Sequence, residues 1–237
     1  MTLYRLRACL LAPVAALAFA ACEQAAPPAE TPAAEPAEVV DETEQAEAPR
    51  VLLPVMSCGT DGFIRADATR ESLAATHGAE NLTEEELSWV DSIETALVLF
   101  PAAPATRAEL FWLDKTSGGP RHVRVGGPES QWIGPGGLFV GASLADVEAA
   151  NGGPFELMGF QNHNAGEVVD WLGGALAAKP GETCEFAMTL GLPENLTAEA
   201  MKAVSNDPEK VYRSDSPEMR AANPSVDGLG LSFFDPS

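Results

Sequence analysis

Positive charge is scarce in this chain. Lys and Arg total 14 against 35 Asp and Glu, a formal net charge of −21. That balance argues against a nucleic-acid partner and against broad contact with anionic lipid. Histidine is nearly absent too: the 3 present, His77, His122 and His163, stand far apart, which is not the clustered His/Cys spacing of a zinc site. Beyond the N-terminal segment no apolar run is long enough to span a bilayer. A nucleophile elbow is also missing, because the nearest text, Gly141-Ala142-Ser143-Leu144-Ala145, lacks the second glycine. Gly134-Pro135-Gly136-Gly137 has neither the Lys nor the following long helix of a phosphate loop, and no acids alternate around a glycine as in a calcium loop. The sequence therefore names no catalytic residue, no metal ligand and no cofactor.

What is present begins with a secretory pattern over residues 1–21. Arg5 and Arg7 precede the apolar stretch Leu10 to Phe19, and Ala20-Ala21-Cys22 follows. Small residues directly before a cysteine resemble a lipobox, which implies lipidation at Cys22. Phe19 stands where that pattern usually has Leu, and the alternative is an ordinary signal cleaved near Ala20 or Ala21. Glu23 in place of an Asp after the cysteine points to the outer membrane. Residues 22–50 are Ala, Pro and Glu with little to bury, and they read as a disordered tether. A segment that folds on a partner is the other reading. The expected setting is the cell envelope, with the membrane reached through a lipid anchor.

Residues 51–237 are long enough for one core or two small fused ones. Cys58 and Cys184 are the only cysteines in this part. In an oxidising compartment an even pair predicts a disulfide, with two buried free thiols as the alternative.

The clearest local structure lies between Gly137 and Phe155. Leu138 to Val140 read as a short strand, Ser143 as an N-cap, and Asp146 as the acid that suits the first turn. Leu144, Val147 and Ala150 share a helical face, and Gly152-Gly153-Pro154 stop the helix. Shifted by 74 residues (143 − 69), Thr69, Leu73 and Gly78 repeat the cap, the aliphatic core residue and the glycine. This predicts duplicated units at about 58–134 and 135–237. Thr83-Glu84-Glu85-Glu86 reads as a capping box opening a helix through Trp89, with a metal or partner site as the minor reading. Strands are expected at Thr95–Phe100, Arg107–Asp114, Arg121–Val125, Gln131–Gly134, Glu156–Phe160, Glu167–Leu172, Cys184–Leu190 and Leu229–Phe234, with a helix at Thr197–Val204 and a turn-rich stretch after it. The alternation in Ala108, Leu110, Trp112, in Val123, Val125 and in Cys184, Phe186, Met188, Leu190 gives each strand one apolar face. The fold class is α+β: two tandem units of short helices packed on antiparallel strand meanders, with a single continuous sheet as one way to join them.

Gly141-Ala142-Ser143, Val147 and Gly152-Gly153-Pro154 resemble the phrase found in the small domain of outer-membrane β-barrel assembly lipoproteins. The tandem arrangement is similar to that of β-lactamase-inhibitor proteins. There is also some likeness to uncharacterised bacterial secreted proteins with a similar NGxPF-GF stretch. The first copy departs from the phrase, since Arg65-Ala66-Asp67 replace the glycine and no Pro follows Gly78. The resemblance implies a fold and an envelope setting, and no catalytic residues transfer with it.

Two groups of residues are candidate sites. Arg107, Lys115, Arg121, His122 and Arg124 gather basic groups on adjacent strands. They read either as a patch for an anionic partner or as a solvated face paired with Glu109 and Asp114. Asn162, His163 and Asn164, with Asp170 and Trp171, read either as a ligand loop with weak acid–base capacity or as a surface turn. The favoured function is a non-catalytic, protein-binding module of the envelope. The alternative is a small-ligand receptor or hydrolase-type enzyme centred on His163 and Asp170.

Overall fold

The computed structural model describes residues 54–58, 62–89, 91–112, 118–161 and 163–234. The expected signal and tether, Cys22, Asp114, Lys115 and Asn162 lie outside these residues. The described chain is α+β, with four helices and nine strands.

The helices start where hydroxyl caps place them. α1, Arg70–His77, is capped by Thr69 in a reciprocal box with Ser72. α2, Leu144–Asn151, is capped by Ser143 in the same way with Asp146, and it ends at Gly152 in the left-handed conformation. α3, Ala198–Ser205, is capped by Thr197, and α4, Pro217–Ala222, by Ser216 with a proline in its first turn.

The strands are β1, Leu82–Trp89; β2, Ser92–Leu99; β3, Ala108–Phe111; β4, His122–Gly126; β5, Glu156–Met158; β6, Val168–Asp170; β7, Cys184–Gly191; β8, Val211–Arg213; and β9, Ser225–Phe233. They form two antiparallel sheets, one of six strands in the order β1-β2-β3-β4-β9-β7 and one of three in the order β6-β5-β8. The larger sheet therefore draws strands from both sides of residue 134.

Several local expectations are corrected. Residues 82–89 form a strand. Seven residues after Thr83 offer no helical apolar stripe, whereas pairing with β2 from Leu82↔Leu99 to Trp89↔Ser92 satisfies the whole segment. Each of the three acids finds a partner there: Glu84 pairs with Arg70, Glu85 with Arg107, and Glu86 with Thr95. Leu138–Val140 is not a strand, because a 3-10 turn at Pro135–Gly137 and positive φ at Gly136, Gly137 and Gly141 prevent extension. Ile133 makes one parallel bridge to Val55 rather than a strand. The turn-rich stretch holds β8 and α4, and β9 begins four residues before the expected start at Leu229.

Register assigns the two faces of the large sheet. Leu97, Leu110, Val123, Leu231 and Phe186 stand in one row across it and belong to the main core with Leu73, Leu144, Val147 and Met219 of the helices. Each such side chain contributes about 1.5–3 kcal/mol by burial. The next row, Glu85, Ala96, Phe111, His122, Ser232 and Glu185, faces the other way. Ala96, Val98 and Phe111 are fully buried on that second face although they lie outside the helical core.

Cys58 and Cys184 are bonded, with Cα atoms 5.4 Å apart across 126 residues. Cys184 opens β7 on its buried face, so the bridge ties the start of the described chain to the sheet. Thr183 adds a hydrogen bond to the Cys58 carbonyl. No helix among the described residues is long and apolar enough to cross a membrane.

Candidate functional site

The face of the large sheet away from the helices is a groove, because the sheet coils. At roughly 4.8 Å per strand, five spacings would hold β1 about 24 Å from β7 in a flat sheet. Yet Asp91, between β1 and β2, lies 3.2 Å from Nδ1 of His163, whose loop is fastened to β7 through the Glu167↔Thr189 bridge. Arg124 of β4 reaches the Ser88 carbonyl of β1 at 3.4 Å. The β1–β2 hairpin therefore arches over the sheet.

The groove's upper part has a volume of about 200 Å³. Trp89 and His122 form one wall, and His163, Asn164 and Glu167 the other. Gly228, Gly230 and Ala187 make a floor with little side chain on it. The lower part, about 440 Å³, shares Arg124, Thr189 and Gly228 with the upper one and continues to Arg107, Glu109 and Asp227.

Trp89 packs its ring 4.4 Å from Phe111 and 4.7 Å from His122. His122 Nδ1 is 3.0 Å from Ser232 Oγ. Burial, with the nearby charge of Arg121, lowers the His122 pKa, so the ring is neutral at pH 7. A serine beside a histidine is the start of a nucleophile–base pair. His122 opens β4 and Ser232 lies one residue before the end of β9, directly paired across the two strands.

The basic residues are largely neutralised. Arg107 donates to both Glu85 oxygens, at 3.2 and 2.7 Å, and to Glu109 at 3.3 Å. Arg124 donates from Nε to Glu109 at 2.8 Å and lies over the Phe111 ring at 5.2 Å. The Glu85 hydrogen bonds hold the Arg107 pKa up, and the same contacts depress that of Glu85. Arg121 lies on the same strand edge, its backbone bonded to Phe111 and Phe233. Glu167 behaves in the opposite sense. Burial raises its pKa, the charge of His163 opposes that shift, and Glu185 adds to it.

The structure thus joins the two candidate groups that the sequence kept apart: His122 and Arg124 face His163 and Asn164 in one groove. Asp170 and Trp171 do not line it. The Asp170 carboxylate is exposed and accepts the N–H of Leu172 at 2.7 Å. Trp171 is a core residue stacked on Phe186 and tilted against Phe155, its indole N–H donated to the Phe186 carbonyl. Trp89, Glu167 and Thr189 were not among the expected site residues. Their roles depend on pairings between distant strands. Among the described residues no three His, Cys, Asp or Glu side chains gather as a metal site.

No family model matches this chain, and no curated protein or solved structure is found to be similar to it.

Proposed function

We propose that the chain is a lipid-anchored cell-envelope protein whose α+β domain binds another protein through the groove under Trp89. The observation that carries the reading is convergence. Side chains from the hairpin, β4, β7, β9 and the loop before β6 meet on a face that the helices leave open. The small floor at Gly228, Gly230 and Ala187 admits a side chain of a partner, and the polar rim fixes its direction. The lipid-anchor reading rests on Ala20-Ala21-Cys22 and the Ala/Pro/Glu stretch after it. The matching caps of α1 and α2, each followed by a buried aliphatic residue at Leu73 and Val147, support an origin in two tandem units.

The test is a photo-crosslinker at Thr189, inside the groove, compared with one at Glu199 on α3, in cells carrying the anchored protein. One partner captured from Thr189 and lost on Ala187→Leu is the expected result. Equal capture from both positions, or capture indifferent to Ala187→Leu, would overturn the reading.

A further inference from the structure

The groove has an unbalanced charge. Its two arginines, Arg107 and Arg124, are matched by Glu85 and Glu109. Asp91 lies 3.2 Å from Nδ1 of His163, a ring that stands near Glu167 as well. Glu167 in the upper part and Asp227 in the lower part remain, and among the described residues neither has a Lys or Arg paired with it. Glu185 stands in the same sheet row as His122 and Ser232 and adds negative charge at the rim.

The shape complements that charge. A cavity of about 150 Å³ takes one benzene ring, so 200 Å³ suits one side-chain-sized group and not a whole peptide. The Trp89 ring, the Ala187 methyl and the Cα atoms of Gly228 and Gly230 give it an apolar surface beside the polar wall of His163, Asn164 and Glu167. An anionic ligand has little to meet, since the Arg124 guanidinium is already engaged by Glu109, by the Ser88 carbonyl and by the Phe111 face. A metal ion would find too few ligands.

We propose that the upper groove, between Trp89, Glu167 and the Gly228–Gly230 floor, is a site for an alkylammonium group, with the carbon stem under Trp89 and the nitrogen on the Glu167 carboxylate. A four-carbon stem ending in an ammonium has the required form: an apolar shaft and one strongly hydrated point charge. Two sources present this chemistry, the lysine side chain of a protein partner and a free aliphatic diamine. The proposal rests on the groove being the binding site.

The test is calorimetric titration of the full-length chain with n-butylammonium, n-butanol, cadaverine and Nα-acetyl-lysine N-methylamide. Butylammonium is expected to bind at least about tenfold more tightly than butanol, and Glu167→Gln to remove that advantage, as loss of one charged hydrogen bond does. Glu84→Gln, on the helical side of the sheet, leaves binding unchanged. Ala187→Leu, which fills the floor, abolishes binding of every amine. A lysine derivative that binds more tightly than cadaverine identifies a protein source, and the reverse order a free diamine. Equal binding of butanol and butylammonium, or a Glu167→Gln protein that binds as the parent does, would overturn the proposal. If Ala187→Leu then still abolished capture from Thr189, the groove would stand as the protein-binding site and only the cationic assignment would fall. Thermal unfolding of each variant shows that it is folded.

Discussion

Asp91 and His163 touch across the mouth of the groove, 3.2 Å apart, although 72 residues (163 − 91) separate them in the chain. The contact links the hairpin of the first half to the loop that precedes β6. The Asp91 side chain is 78% exposed, so the pair contributes under about 1 kcal/mol to stability. Its effect is on motion. Asp91→Asn is expected to leave the unfolding midpoint nearly unchanged while amide exchange at Ser88, Trp89 and Ser92 quickens. Unchanged exchange at the hairpin tip would show that Trp89 on Phe111 and His122, with Arg124 on the Ser88 carbonyl, hold the arch without this pair.

The Arg107 network is the stronger tie across the same face. The guanidinium is only 26% exposed and bridges Glu85 of β1 to Glu109 of β3. Arg107→Met keeps much of the stem but leaves Glu85 without its cation, while Glu109 keeps Arg124. A loss of about 1.5–3 kcal/mol is expected, the range for hydrogen bonds to charged groups, read from denaturant unfolding at fixed slope. The double variant Arg107→Met with Glu85→Gln should recover part of it, because the orphaned charge is then removed.

Much of this was legible locally, and the groove was not. Caps at Thr69, Ser143 and Thr197 act within one turn, so residue identity alone placed α1, α2 and α3. Alternation along β3, β4 and β7 gave the correct inner faces, because the pleat has a period of two. The groove needs information of another kind. His122 meets Ser232 only because β9 inserts between β4 and β7, and His163 meets Asp91 only because the sheet coils. Neither fact is written in a window of ten residues. The segment from Leu82 to Trp89 misled for a related reason: Thr83 and its three acids satisfy a helix-start pattern, but their partners Arg70, Thr95 and Arg107 lie on other elements.

The disulfide gives a prediction for the core. Cys58 and Cys184 close a span of 126 residues, for which the loop-entropy account gives about 4–5 kcal/mol. The double change to Ser is expected to lower stability by that order, with a large drop in unfolding temperature. The groove lies on the other side of the sheet from the Cys184 side chain. At a temperature where the double variant is still folded, the surroundings of Trp89 should therefore be unaltered in an NMR spectrum.

A buried amide carries a fourth prediction. Asn151, the last residue of α2, is 1% exposed. Its Nδ2 donates to the carbonyls of Gly153, Pro154 and Trp171, and its Oδ1 accepts the N–H of Leu176. Asn151→Ala leaves the buried Leu176 N–H without its acceptor and takes a donor from the Gly153, Pro154 and Trp171 carbonyls, of which Trp171 still accepts the N–H of Gly174. At about 1–3 kcal/mol for a buried group left unpaired, the loss should exceed that of an exposed asparagine such as Asn206. An equal loss at both positions would show that the clamp is redundant.

Glu167 gives the prediction that bears most directly on the groove. Burial raises its pKa, Glu185 adds to the shift, and the charge of His163 opposes it. The folded state therefore holds a proton on this carboxyl at pH values where the unfolded chain has released it. Between the ordinary glutamate range near 4.5 and the raised value, folding takes up a proton, and stability falls as pH rises through that window. Glu167→Gln removes the term. The variant is expected to unfold at a higher temperature than the parent at pH 7, and the gap should close as the pH falls toward 4, where both proteins carry an uncharged group. A gap independent of pH would mean that the amide stabilises by packing and that the Glu167 charge is already solvated. A cation seated in the groove should reverse the trend, because it favours the ionised carboxylate. Addition of butylammonium would then stabilise the parent at pH 7 and leave Glu167→Gln unmoved.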